Sequence, residues 1–269
     1  MKTSNHLLRR LTAALLAAVL ALSIALPVFA SDDGDTIYIN SVSDLLSLAR
    51  SCAYDQWSVG KTVILQKDLS LEGMLWEPIP SFSGQFKGNG HTISDLTITG
   101  QYSPAGLFGI VEEQGSIESL SVRGVVSVSD SADTTTGGIV GINHGTLISC
   151  QFTGVVTGDS EVGGIVGRNE SEGTIDHGTA RAIVTGKSST GGIAGYNLGA
   201  ITGCTNVGSI NTEYPEASLD TDGFTAKMVD YINNKMAAAD NDATNSVTNV
   251  ATDTGGIAGR SSGMILTSV

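Results

Sequence analysis

Residues 159–187 carry the carboxylates Asp159, Glu161, Glu170, Glu172 and Asp176, interleaved with the cations Arg168, Arg181 and Lys187. Brought together, such side chains can cleave acidic polysaccharides: clustered carboxylates hold calcium or act as acid and base, and a cation receives the substrate carboxylate. Gly259-Arg-Ser261-Ser-Gly263 has the Gly-x-Ser-x-Gly form of a nucleophile elbow. Lys61 and Lys187 each follow a glycine as in a phosphate-binding loop, but Asp55 and Arg181 stand where that motif requires its first glycine. His91, His144 and His177 supply imidazoles. Asp220, Asp222, Asp240 and Asp242 offer oxygen ligands for calcium, without the glycine and closing glutamate of an EF-hand loop.

Which of these groups can meet depends on the elements that carry them, and those elements repeat. Gly-Leu-Phe-Gly at 106–109 returns as Gly-Gly-Ile-Val-Gly or Gly-Gly-Ile-Ala-Gly beginning at Gly137, Gly163, Gly191 and Gly255. The matching glycines Gly106, Gly138, Gly164 and Gly192 lie 32, 26 and 28 residues apart, and Gly256 follows after 64, one repeat plus an insertion. Periods of about 20 to 50 residues mark solenoids and related arrays. A second string follows each glycine motif: Gly115-Ser-Ile117, Gly145-Thr-Leu147, Gly173-Thr-Ile175 and Gly199-Ala-Ile201. Beyond it, every second residue is mostly small or apolar, as in Leu120, Val122, Gly124, Val126 and in Cys150, Phe152, Gly154, Val156. Period two predicts strand. Ile117, Leu147, Ile175 and Ile201 have the opposite parity, so the chain must bend after them to keep both sets inside. These features predict an all-β fold, a parallel β-helix solenoid. A leucine-rich horseshoe lacks its L-x-x-L-x-L spacing here, and a propeller would need longer repeats with hairpin turns.

This register changes how the chemical motifs read. The columns of Gly259-Arg-Ser261-Ser-Gly263 read Gly141-Ile-Asn-His-Gly145 and Gly195-Tyr-Asn-Leu-Gly199 in other coils. The apparent elbow is therefore a solenoid corner, with no helix after it. The three histidines fall in different columns, which argues against a metal or catalytic trio. The carboxylates and cations between Asp159 and Lys187 read as solvated faces. Asn143, Asn169 and Asn197 share one column, with Ser261 in the final copy, and stacked asparagines can hydrogen-bond in a ladder. Cys150 and Cys204 share another column two coils apart, roughly 9 to 10 Å at strand spacing. A disulfide needs α-carbons within about 7 Å, so both thiols are expected free and buried. Trp57 and Trp76 lie near the N-terminus, leaving the coils hardly any aromatic platform for sugars. No catalytic, cofactor-binding or metal-binding residue is assigned and no cofactor is expected.

Residues 1–30 read as a signal peptide: Lys2, Arg9 and Arg10 precede an apolar run at 11–26, and Val28-Phe29-Ala30 supplies a small-residue cleavage site. An uncleaved anchor is the alternative; with cleavage, no membrane span is expected. The remainder has 11 Lys and Arg against 27 Asp and Glu, a net charge of −16 that should repel nucleic acid and anionic membranes. Residues 31–81 are expected to form a cap and first strands, with Ser43 capping a helix from Asp44 to Cys52 whose apolar face is Leu45, Leu46, Leu48 and Ala49. Strands are expected at Thr62 to Gln66 and Trp76 to Ile79. Coils are expected over 82–210, with columns beginning at Ile93, Leu96 and Ile98. Residues 211–252 read as an insertion, with a helix over 223–239 carrying Phe224, Met228, Ile232 and Met236 on one stripe. Residues 253–269 read as an incomplete final coil, so that either further domains of a parent protein are expected, or the last coil is frayed or paired with another chain.

Gly106-Leu-Phe-Gly109, the Gly-Gly-Ile-Val-Gly copies, Phe86-Lys-Gly-Asn-Gly-His-Thr-Ile93 and the Gly-x-Ile-x-x-Cys strings resemble the GLUG-motif repeats of bacterial secreted and surface proteins. The resemblance covers roughly residues 82–269 apart from the insertion. It implies a right-handed β-helix similar to the pectin-lyase superfamily and a secreted or cell-wall setting, but no activity. Some such proteins resemble immunoglobulin A metalloproteases, whose His-Glu-x-x-His motif is absent here. The function expected is a non-catalytic extracellular scaffold or adhesin-like module with a protein or glycan ligand. The competing function is a polysaccharide lyase or glycoside hydrolase.

Overall fold

The computed structural model describes residues 35–54, 56–128, 134–211 and 252–269. The signal peptide expected over 1–30, the helix expected over 223–239, and Asp55, Asp220, Asp222, Asp240 and Asp242 lie outside them. The described residues form a parallel β-solenoid with four faces, sheets of eight, seven, six and four strands. From Ser116 onward the coils visit the faces in one order, whereas the earlier coils place no strand in the four-stranded sheet. One of the later coils runs from Thr146–Ile148 in the eight-stranded sheet to Gln151–Thr157 in the seven-stranded, Val162–Gly163 in the four-stranded and Val166–Asn169 in the six-stranded sheet. Thr174–Asp176 then pairs in parallel on Thr146–Ile148, one coil further along.

The apolar columns hold the coils together. Ile37, Val63, Phe86, Ile117, Leu147, Ile175, Ile201 and Ile265 are in register through the eight-stranded sheet. From Val63 to Ile201 they are fully buried. Side chains of this size contribute about 1.5 to 3 kcal/mol each when taken from water. This inner column thus reaches back through Phe86 and Val63 to Ile37, well before Ile93. Gly84 precedes Phe86 as Gly115 precedes Ile117, but the coils of Val63 and Ile37 lack that string, so only side-chain parity marks them as coil.

The bend between the eight- and seven-stranded sheets is a stack of left-handed residues. Ser119 (φ 51°), Ser149 (52°), His177 (51°), Gly203 (61°) and Thr267 (43°) each follow the short strand of the eight-stranded sheet by one residue. One left-handed residue turns the chain and reverses its parity, so Ile117 and Leu120, or Leu147 and Cys150, both point inward.

A helix, Val42–Ser51, packs on the first coil against strands Thr36–Ile39 and Ile79–Phe82. Its N-cap is Ser41 rather than Ser43. Ser41 is extended and its Oγ accepts from Asp44 N at 3.2 Å, while the Asp44 carboxylate accepts from Asn40 N at 2.9 Å. The two bonds satisfy donors at the helix start in the manner of a capping box. Leu45 and Leu48 are fully buried, whereas Leu46 and Ala49 lie at the edge of the apolar face. The second early strand is Ile79–Phe82, displaced from Trp76 to Ile79. Trp76 instead inserts into the core, its indole Nε1 donating to Leu107 O at 3.1 Å. Among the described residues, no helix is long and apolar enough to cross a membrane.

Cys52, Cys150 and Cys204 are all free and buried. Burial pushes the Cys52 and Cys150 thiols up to about 12, and the Cys204 thiol upward as well. Raised values in the folded state leave stability intact below the ordinary thiol value near 9.0, and remove it as pH rises from there toward 12. Equilibrium unfolding midpoints are therefore expected to fall steeply above pH ~9. Cys150→Ala should flatten that fall by one thiol's share, and an unchanged slope would show that the thiol ionises in place.

Candidate functional site

The glycine motif and the asparagine after it bracket the six-stranded sheet. In Gly167-Arg168-Asn169 the asparagine points inward and is fully buried, and the residue before it points outward. Asn143 Nδ2 donates to Asn169 Oδ1 at 2.7 Å, Asn169 Nδ2 to Asn197 Oδ1 at 2.8 Å, and Asn197 Nδ2 to Ser261 Oγ at 3.1 Å. The same amides donate to Gly145 O, Gly173 O and Gly199 O. The ladder expected from the sequence is thus formed. Ser261, the would-be nucleophile, closes it by accepting from Asn197 and donating to Gly263 O at 3.3 Å.

Outward, the sheet aligns Ser81, Ile110, Ile142, Arg168, Tyr196 and Arg260 in one column. Arg168 Nε donates to Glu170 Oε1 at 2.6 Å and Nη1 to Glu161 Oε1 at 2.7 Å, while Glu161 Oε2 accepts from Thr135 Oγ1 at 3.0 Å. Partial burial pulls the guanidinium pKa down, but the bond to Glu170 and the charge of Glu161 outweigh it and hold Arg168 above its ordinary value. The Tyr196 ring carries Arg168 at 5.0 Å and Arg260 at 5.6 Å, both within cation–π reach. Beside this group, Thr135, Ile142, Ser160, Glu161, Arg168 and Glu170 line a shallow depression of about 420 Å³.

The other charged residues singled out in the sequence lie on different faces. Lys187 pairs with Asp159 at 2.5 Å where the seven- and four-stranded sheets meet. Asp176 is on the eight-stranded sheet, bonded to His177 Nδ1 at 2.8 Å. Glu172 sits in an exposed turn, its pKa lowered by the Ser171 hydroxyl, and Arg181 faces outward on the seven-stranded sheet. His91 Nδ1 bonds Asp68 at 3.1 Å, and donation from Thr92 N followed by His91 holds that carboxyl below its usual range. Among the described residues, no three His, Cys, Asp or Glu side chains are grouped to hold a metal. Of the residues from Asp159 to Lys187, the fold therefore joins Glu161, Arg168 and Glu170 into one group and adds Tyr196, Arg260 and Thr135. Tyr196 and Arg260 could have been found from the sequence, because Ile142, Arg168, Tyr196 and Arg260 each precede a ladder residue.

No family model matches the chain. Halomucin from Haloquadratum walsbyi is 30% identical over 155 residues, covering 53% of this chain and 2% of halomucin. A "Putative Gly-rich membrane protein" from Evansella cellulosilytica is 29% identical over 137 residues, covering 37% of this chain and 16% of that protein. The chain thus matches only a small part of the length of these relatives. Among solved structures, a "putative immunoglobulin A1 protease from Bacteroides ovatus" aligns with TM-score 0.43 and 15% identity, over 66% of this chain and 68% of that one.

Proposed function

We propose that this chain is an extracellular β-solenoid module of the GLUG-repeat kind, which displays or spaces other parts of a surface protein and catalyses no reaction itself. The observation that carries this reading is the distribution of its ionisable groups. Asp159, Glu161, Glu170, Glu172 and Asp176 are dispersed over several faces, and the two that converge share one guanidinium. Acid–base cleavage of a glycosidic bond needs two carboxyl groups flanking one bond, whereas Glu161 and Glu170 flank Arg168. A relative named as a Gly-rich membrane protein favours an envelope setting, as do the leader-like residues 1–30.

The test has two arms. Expressed with its leader in a bacterial host, the chain should be recovered from the envelope or medium. The purified chain should leave pectins, alginate and glycosaminoglycans intact, with or without calcium. Retention in the cytoplasm would overturn the setting. Turnover that Glu161→Gln or Asp176→Asn abolishes would replace the reading with the polysaccharide lyase or hydrolase alternative.

A further inference from the structure

Two depressions lie on one line of the solenoid. One, of about 350 Å³, is lined by Ser81, Ser83, Glu112 and Glu113 together with Gln56 and Val59 of the loop after the helix. The other, of about 420 Å³, includes Ile142, Arg168 and Glu170. Ser81, Ile142 and Arg168 belong to the same outward column of the six-stranded sheet, with Ile110 between the depressions. Glu112, His144 and Glu170 form the adjacent column, since His144 N bonds Val111 O and Glu170 N bonds Asn143 O. The track crosses six strands, about 24 Å at ordinary strand spacing.

The chemistry of this track changes along its length. At the first coils it is acidic: Glu112 and Glu113 meet no cation in that depression, and Ser81 Oγ fixes Glu112 Oε1 at 2.7 Å. Half-buried Ile110 and Ile142 follow. At the last coil, exposed Arg260 stacks on Tyr196 and has no carboxylate partner among the described side chains.

We infer that the outer face of the six-stranded sheet is a docking groove for an extended peptide segment of about seven residues. Basic side chains of that segment meet Glu112 and Glu113, small apolar ones cover Ile110 and Ile142, and a carboxylate meets Arg260. Charge complementarity selects this occupant. A homopolymeric glycan presents the same unit at every step, whereas this column does not repeat, and its one aromatic ring is already engaged by two guanidinium groups. The partner crosses the strands, so recognition runs through side chains and not through β-pairing. The inference deepens the display reading above and rests on it for the setting in which such a partner is met.

The test is fluorescence anisotropy of dye-labelled octapeptides with the full chain. A probe reading Lys-Lys-Ala-Val-Ala-Val-Ser-Asp should bind in the range of roughly 10 to 100 µM, and a probe with both lysines replaced by glutamate should bind at least about tenfold more weakly. Glu112→Gln with Glu113→Gln, and separately Arg260→Gln, should each weaken the first probe by roughly fivefold to tenfold at unchanged circular dichroism. Arg181→Gln, on the seven-stranded sheet, should leave it unchanged. Equal binding of the two probes, indifference to the Glu112, Glu113 and Arg260 substitutions, or displacement by a neutral β-glucan would each overturn the peptide groove. If the probe fails while the chain is exported and inert toward polysaccharides, only the groove falls. Cytoplasmic retention or glycan turnover removes the display reading whatever the peptide does.

Discussion

Gly163→Ala is expected to unfold the central coils, with a loss of more than about 4 kcal/mol in urea unfolding monitored by far-UV circular dichroism. The cause is proximity between backbones. A β-carbon on Gly163 would lie well inside contact with the carbonyl oxygen of Val166, 2.7 Å from Gly195 N and 2.9 Å from the Ala194 α-carbon. None of these atoms is the end of a flexible side chain, so relief requires moving two coils apart. Gly137, Gly191 and Gly255 stand in the same relation to Val140, Ala194 and Ala258, so the contact recurs in each of the four copies that begin Gly-Gly. Gly73→Ala is the comparison: Gly73 has φ +74° but open space around it. Its cost should stay near the roughly 1 to 2 kcal/mol of left-handed strain alone. Similar losses for the two substitutions would refute the steric account.

Removing the middle amide of the asparagine ladder should be nearly as damaging. Asn169→Ala deletes the bonds to Asn143, Asn197 and Gly173 O, and strands the buried Asn197 Oδ1. Each buried polar group left without its partner costs about 1 to 3 kcal/mol, so with the small cavity the loss should be about 3 to 5 kcal/mol. Asn143→Ala supplies an internal control. Its Oδ1 already has no partner, because Val111 occupies the preceding position of the column. That substitution breaks the ladder on one side only, and it should cost clearly less in the same unfolding measurement. Equal losses would mean that the amides act independently.

The repeating part of this fold was readable from spacing because each coil solves the same packing problem. Asn143, Asn169 and Asn197 declared their ladder, and Cys150 and Cys204 their separate burial, through column position alone. The first coils were harder. Ile37 and Val63 continue the inner column without the glycine string that precedes Phe86 and Ile117, and Ser41 displaces Ser43 as the cap because Asn40 and Asp44 bond across it. The left-handed stack was invisible as such, because Ser119, Ser149, His177, Gly203 and Thr267 share a conformation across four residue types. The charged group formed by Glu161, Arg168 and Glu170 was half legible. Glu161, Arg168 and Glu170 lie within one short stretch of sequence, whereas Tyr196 and Arg260 stand one and two coils further along. Their significance comes from sharing the column of Arg168.

The registration of the last coil carries a further consequence. Thr205–Asn206 and Ser209–Ile210 close one coil on Thr179–Thr185, and Gly255 then pairs with Gly191 as Gly191 does with Gly163, although 40 residues intervene between Asn211 and Thr252. Stacking fixes where the chain must leave and return, and sets no bound on what it does in between. Doubling the length of such an excursion adds only about 0.6 kcal/mol of closure entropy. A change of length between Asn211 and Thr252 should therefore leave the register of the coils on either side unchanged.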